Sequence, residues 1–176
     1  KQKLIIENKQ QNAFNPVTVA DKLTEKKIRE MLEKLYPDDA IVGEEFGKKE
    51  GLTDFTWIID PIDGTKEFIK RNGEFTVNIA LVKNNTPIIG VVYAPELKTI
   101  YFSESGVGAY KKELHQEQIN ISDIVTTSLS LPEKQNRQTF TIVASRSHLS
   151  KETEEYLRKM KKTRIMKSGG RNSAGR

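Results

Sequence analysis

The chain has 176 residues, of which 36% are hydrophobic and 30% charged, and its formal net charge is +5. This composition is typical of a soluble globular protein rather than a disordered one, and the length allows one domain, or one domain and part of another. The absence of cysteine excludes a disulfide framework, a thiolate zinc site and a cysteine nucleophile, and no apolar run approaches the ~20 residues of a membrane helix. We therefore expect a cytoplasmic protein with no transmembrane segment.

The first predicted element is a helix over residues 15–36, because apolar residues recur there at helical spacing. Thr18 and Asp21 match a capping box, in which each side chain bonds the other residue's backbone N–H. Pro37 ends the helix. The predicted apolar face consists of five side chains, Leu23, Ile28, Met31, Leu32 and Leu35.

Strands are expected to dominate the middle of the chain. Ile41 and Val42 predict a short strand, residues 47–54 an exposed loop, residues 56–60 a strand that ends in a turn over 61–65, and residues 66–72 a short helix. From residue 75 onward, alternating polar and apolar residues between short turns predict an antiparallel meander. Its strands are expected at 76–83, 88–95, 99–105 and 108–112.

The last third of the chain shows a different pattern. Residues 122–138 are predicted to be a loop or linker, and the segment 139–168 reads as strand, helix and strand, which is typical of a βαβ unit. The sequence therefore predicts a mixed α/β (α+β) fold with a large antiparallel sheet. Residues 1–136 are expected to form a metal- and phosphate-binding α+β domain, and residues 137–176 the start of a C-terminal α/β domain.

Two acidic pairs each follow a short apolar strand: Glu44 with Glu45, and Asp60 with Asp63. If these strands are neighbours, three or four carboxylates converge and repel one another unless protons or cations intervene. Mg²⁺ is the expected cation because it prefers oxygen ligands, and two such ions could activate a water molecule. The alternative is that the glutamates are loop charges and that Asp63 belongs to an ordinary turn.

Three further residues extend this cluster. Gly64 allows close backbone approach, and Thr65 can cap the predicted helix at 66–72, whose first N–H groups bind phosphate oxygens. Asp21 either serves only in the helix cap or accepts the Thr65 hydroxyl proton, so that the hydroxyl oxygen orients an attacking water. Both interpretations of Asp21 remain open from the residues alone.

The ordered motifs PVTVAD (16–21), GEE (43–45) and DPIDGT (60–65) resemble the metal-dependent, lithium-sensitive phosphatases of the inositol monophosphatase superfamily. The resemblance runs from about residue 15 to 168. It implies a layered αβαβα sugar-phosphatase fold, two or three Mg²⁺ ions, Li⁺ as an inhibitor and a possible homodimer. It also implies roles for seven residues: metal ligation by Glu44, Asp60, Asp63 and the Ile62 carbonyl, orientation of water by Asp21 and Thr65, and phosphate binding by the backbone of Gly64 and Thr65.

Segments after the DGT motif, at 66–82, 90–97 and 145–148, resemble the 3′(2′),5′-bisphosphate nucleotidase branch, the CysQ-type enzymes of sulfur assimilation. That resemblance implies hydrolysis of adenosine 3′,5′-bisphosphate to AMP and phosphate, with Ser147 and His148 near the nucleotide; His148 can equally be a surface residue. The front half also resembles histidinol-phosphatases, so histidinol phosphate and inositol phosphate are rival substrates. No specific nucleic-acid partner is expected, although the basic segment 151–176 makes a non-catalytic nucleic-acid-binding fragment an alternative.

The family pattern includes one more acidic ligand, in a WD-x-A-x-G motif that this sequence does not contain, and a long helix before PVTxAD. We therefore expect a fragment or interrupted gene product. On that expectation one Mg²⁺ binds weakly, apolar surface is exposed and the activity of this chain is low.

Overall fold

The computed structural model describes residues 6–8, 16–114, 124–132, 140–145, 150–160 and 163–168. In chain order the elements are β1 (Ile6–Asn8), β2 (Pro16–Thr18), α1 (Val19–Leu35), β3 (Ala40–Gly43), β4 (Gly47–Lys49), β5 (Phe55–Asp63), α2 (Thr65–Lys70), β6 (Thr76–Lys83), β7 (Thr86–Ala94), β8 (Thr99–Glu104), β9 (Gly108–Glu113), β10 (Leu129–Leu131), β11 (Phe140–Ser145), α3 (Lys151–Lys159) and β12 (Thr163–Ser168). The predicted mixed α/β fold is confirmed.

One eight-stranded sheet forms the centre of the described structure, with the strand order β10-β9-β8-β7-β6-β5-β3-β4. Strands β6 to β9 form the predicted antiparallel meander, in which each strand pairs with the next along the chain, and β5 extends it by pairing with β6 in antiparallel orientation. Strand β3 pairs with β5 in parallel, so the two strands end at the same edge of the sheet. This parallel pair makes the sheet mixed rather than wholly antiparallel.

Helix α1 begins at the predicted capping box and packs its middle turns on the sheet. Thr18 is the N-cap, and both reciprocal bonds of the box to Asp21 are present. Leu32 packs with Ile41 and Ile59 in a buried cluster, beside the partly buried Ile28. Burial of this apolar surface fixes the helix across β3 and β5.

The predicted apolar face of α1 is wrong in three of its five members. Leu23, Met31 and Leu35 are 61%, 57% and 64% exposed. The buried face instead begins with two carboxylates, Asp21 and Glu25, which are 2% and 0% exposed. Hydrophobic spacing alone failed here because two positions of the buried face are polar.

Three further predictions are corrected. The segment 47–54 is not all loop, because β4 pairs with β3 in antiparallel orientation. The strand at 56–60 continues through the expected turn to Asp63. Within the expected linker 122–138, β10 pairs with β9. Strands β4 and β10 each have three residues. They form because a neighbouring strand is available to pair with them, and their own sequences do not favour a strand.

The last elements form the predicted strand–helix–strand unit. Strands β11 and β12 pair in parallel, and α3 lies between them in the chain. The domain boundary near residue 136 stays a prediction. Within the described ranges, no helix is long and apolar enough to cross a bilayer.

Candidate metal and phosphate site

The two acidic segments lie side by side at one edge of the sheet. The parallel register of β3 and β5 places Gly43 opposite Ile59. Glu44 and Asp60 are the next residues of the two segments, just beyond this last pair. The Glu44 backbone N–H donates to the Ile59 carbonyl at 3.3 Å. The two strands are therefore neighbours, which is the condition under which the carboxylates were predicted to converge.

A bulge in β5 separates the two aspartates of the DPIDGT motif. Asp60 lies opposite Asn78 and Asp63 opposite Thr76, with an irregular register between the two pairs. A bulge increases local twist and redirects side chains. Pro61, which has no N–H, is tolerated there because the pairing with β3 already ends at residue 59.

The carboxyl group of Asp60 is the most perturbed acid of this edge. Burial raises the pKa of Asp60 from 3.8 to about 6, and the nearby charges of Asp63 and Glu44 act in the same direction. The Asn78 amide lowers that pKa, although its contact does not meet hydrogen-bond geometry. An acid held among like charges in this way is typical of a functional site.

The donors at this edge fit Mg²⁺. Asp60 Oδ1 is buried and makes no hydrogen bond within the described part of the chain, which is costly unless a cation satisfies it. Among the described residues, no group of three or more acidic or histidine side chains is placed so that it could hold a metal ion without other ligands. Mg²⁺ commonly uses one or two carboxylates and completes its shell with water and phosphate oxygens, so no such cage is required.

Asp21 and Thr65 meet beside this edge, as one of the two open interpretations of Asp21 predicts. Thr65 Oγ1 lies 3.2 Å from Asp21 Oδ1 and 3.1 Å from the Ile62 carbonyl oxygen. The other Asp21 oxygen accepts from the Thr18 N–H at 2.8 Å and from the Thr18 hydroxyl at 2.5 Å. The cap of α1 thus orients the carboxylate that receives Thr65, so both roles are met by one side chain.

Gly64, and not Thr65, is the N-cap of α2, which corrects the capping role expected of Thr65. Gly64 has φ +92° and makes no side-chain cap, and its carbonyl accepts from the N–H groups of Glu67 and Phe68 at 2.9 Å. A Cβ at Gly64 would lie 3.0 Å from the Glu74 carbonyl oxygen. The turn therefore requires glycine for both its conformation and its space.

The structure also identifies site residues that the sequence prediction missed. Thr76 is 1% exposed, and its hydroxyl has no hydrogen-bond partner among the described residues. With Asn78 it forms the β6 side of the acidic edge, and polar residues on the inner positions of an apolar strand are the signal that could have identified both. Ser147 and His148 lie outside the described residues.

The sequence profile of the inositol monophosphatase family matches residues 1–173. This chain belongs to the inositol monophosphatase family. Its sequence is 41% identical to the 3′(2′),5′-bisphosphate nucleotidase CysQ of Salmonella typhimurium over 150 residues, which cover 83% of this chain and 55% of that protein. The chain thus spans about half the length of this relative.

Two further proteins are similar to this chain. The crystal structure of CysQ from Bacteroides thetaiotaomicron superposes with a TM-score of 0.71 at 39% identity, covering 85% of this chain and 59% of that one. The implied fold is therefore confirmed. A fructose-1,6-bisphosphatase/inositol-1-monophosphatase of Aquifex aeolicus is 41% identical over 105 residues, which cover 60% of this chain and 39% of that protein.

Proposed function

We propose that the chain carries the active-site edge of a Mg²⁺-dependent phosphomonoesterase that hydrolyses adenosine 3′,5′-bisphosphate to AMP and phosphate. The observation that carries this proposal is the Thr65 hydroxyl, held 3.2 Å from Asp21 and 3.1 Å from the carbonyl of Ile62, which lies between Asp60 and Asp63 in the chain. Similarity to the Salmonella nucleotidase supports the substrate.

The proposed ligands for two or three Mg²⁺ ions are Glu44, Asp60, Asp63 and the Ile62 carbonyl. When bound, Mg²⁺ offsets phosphate charge and lowers the pKa of a coordinated water. Asp60 would supply its buried Oδ1, and Glu44, whose side chain is exposed, would ligate the same ion. Like charges that repel one another in the metal-free edge favour binding of a cation.

Asp21 and Thr65 orient the attacking water. The Thr65 hydroxyl has one proton and two acceptors within reach, and donation to Asp21 leaves the hydroxyl oxygen as an acceptor. A water that donates to this oxygen is held for attack on phosphorus. The water oxygen forms a bond to phosphorus as the bond between phosphorus and the ester oxygen breaks. The attacking water releases one proton to solvent, and the leaving oxygen takes one from solvent.

The backbone at Gly64 and Thr65 is proposed to bind the phosphate. The first N–H groups of a helix have no acceptor within that helix and point outward, which suits a phosphate oxygen. We also propose that Ser147 and His148 contact the nucleotide. Inhibition by Li⁺ follows from competition for the Mg²⁺ ligands.

The test is a single-turnover phosphate-release panel with the 176-residue chain in excess. The substrates are adenosine 3′,5′-bisphosphate, inositol 1-phosphate and histidinol phosphate, each with and without Mg²⁺ and Li⁺. We expect slow, Mg²⁺-dependent, Li⁺-inhibited release that is fastest from the adenosine compound and lost in Asp60→Asn. Equal release without Mg²⁺, or from Asp60→Asn, contradicts the mechanism.

Inositol 1-phosphate is the second candidate substrate, because of the similarity to the Aquifex enzyme. Faster release from inositol 1-phosphate in the same panel would replace the nucleotidase assignment. The metal site and the water-orienting pair would stand in that case.

A further inference from the structure

Glu25 is a fully buried carboxylate on α1 that no part of the proposed mechanism uses. It is 0% exposed, one turn beyond Asp21 on the same face of the helix. Burial of an ionised carboxylate is costly unless it is paired and hydrogen-bonded. The groups that bind Glu25 therefore indicate why a buried carboxylate is present at this position.

Those partners are backbone groups of the metal-ligand loop, which we define as residues 43–47. One Glu25 oxygen, Oε2, accepts from the Glu45 N–H at 2.7 Å, and the other, Oε1, accepts from the Phe46 N–H at 3.2 Å. Both N–H groups follow Glu44 directly in the chain. A two-oxygen acceptor that binds consecutive amides fixes the path of the loop just after this proposed ligand.

Arg29 completes the attachment from the next turn of α1. Its Nε donates to Glu25 Oε1 at 2.8 Å, and the Arg29 side chain is only 13% exposed. Its Nη2 donates to the Gly47 carbonyl oxygen. The pair therefore binds both N–H donors and a carbonyl acceptor of the metal-ligand loop, so the loop is held at more than one point.

Gly43 shows how closely the loop and the carboxylate fit. A Cβ at Gly43 would lie 1.9 Å from Glu25 Oε1 and 2.3 Å from its Cδ. The first residue of the GEE motif must therefore be glycine for Glu25 to occupy its position. The Glu25 carboxylate therefore packs against the start of the metal-ligand loop and also accepts hydrogen bonds from its middle.

We propose that Glu25, with Arg29, is a positioning residue that holds Glu44 in the place where it ligates Mg²⁺. Asp21, Glu25 and Arg29 recur every four residues, so a single face of α1 orients Thr65 through Asp21 and the metal-ligand loop through Glu25. This helix then sets the spacing between the water-orienting pair and a metal ligand. The inference rests on the metal site proposed above.

The test is isothermal titration with Mg²⁺ alone, at a temperature at which far-UV circular dichroism shows each variant folded. Glu25→Gln places an NH₂ group against the N–H donors of the loop, and we expect Mg²⁺ affinity to fall about 10- to 100-fold, as is typical when a group that supports a metal ligand is lost. Glu33→Gln, which removes the same charge from an exposed position of α1, is the matched control and should leave the affinity unchanged.

Arg29→Lys keeps the charge but loses the planar fork, so it decides the question if Glu25→Gln does not fold. We expect weaker Mg²⁺ binding and faster hydrogen exchange at the Glu45 and Phe46 amides. A folded Glu25→Gln or Arg29→Lys chain with the affinity of the unaltered chain overturns the positioning role alone. An unaltered chain that does not bind Mg²⁺ overturns the proposed metal site and this inference together.

Discussion

At the scale of single residues, the site is built from carboxylates that are costly to ionise together. Asp60 shares its edge with Asp63 and Glu44, and its pKa is raised to about 6 by burial first and by those charges next. Sequence motifs predicted which residues meet here. The motifs do not include Thr76 and Asn78. Their polar character within an apolar strand was a signal, but which acid each residue faces depends on cross-strand register, and the whole sheet sets that register.

The raised pKa of Asp60 predicts a pH-dependent stability of the metal-free chain. The folded chain binds this proton more tightly than the unfolded chain, so Asp60 becomes destabilising as the pH rises from 3.8 to about 6. In EDTA, we expect the melting temperature of Asp60→Asn minus that of the unaltered chain to increase between pH 4 and pH 7, because only the unaltered chain is destabilised by this carboxyl group. Asp54→Asn, at an exposed position beside β5, is the control, and parallel curves for Asp60→Asn and the unaltered chain would refute the prediction.

Gly64→Ala is expected to destabilise the chain by about 1–3 kcal/mol, because alanine is strained at positive φ and its Cβ meets the Glu74 carbonyl. Gly106→Ala is a matched control, since Gly106 also has a positive φ, +80°, but no atom lies within 4 Å of its Cβ position. Urea unfolding measures both. A loss no greater for Gly64→Ala than for Gly106→Ala would show that the close approach is unimportant.

At the scale of elements, local sequence signals predicted the helices and strands that are stabilised by interactions between residues close together in the chain. The capping box of α1 and the alternation along β6 to β9 depend on neighbouring residues, and these elements were predicted correctly. Strands β4 and β10 were missed because partner strands select them. The extension of β5 through Pro61 was missed because a strand edge without a partner tolerates proline.

The N-cap of α1 provides an element-scale test. Thr18→Val keeps the shape but removes the hydroxyl that accepts from Ala20 and Asp21 N–H groups, so the free energy of unfolding should fall by about 0.5–2 kcal/mol. Thr18→Ser keeps the oxygen and should retain most of the stability. Equal losses in the two variants, measured by urea unfolding, would show that the methyl group and not the cap matters.

At the scale of the whole molecule, the described structure leaves apolar side chains of α1 uncovered. Leu23, Met31 and Leu35 are each more than half exposed on sides of the helix that the sheet does not cover. Neighbouring exposed apolar groups favour association. The sequence prediction placed these three residues in the buried face of the helix, and their exposure corrects it.

We therefore expect the chain to self-associate at micromolar concentrations and the triple variant Leu23→Glu, Met31→Glu, Leu35→Glu to sediment as a monomer. Sedimentation velocity measures the difference. Glutamate is tolerated on an exposed helix surface, so the triple variant should remain folded. Identical sedimentation of the two chains would exclude this surface as the cause of association.

The proposed metal site holds Mg²⁺ at the edge formed by β3 and β5 through Asp60, and calorimetric titration with Mg²⁺ at neutral pH tests this role of Asp60 most directly. We compare the unaltered chain with Asp60→Asn, which keeps the size of the side chain but removes its charge. We expect saturable binding by the unaltered chain and loss of that binding in Asp60→Asn. No binding by the unaltered chain, or equal binding by both, would contradict it.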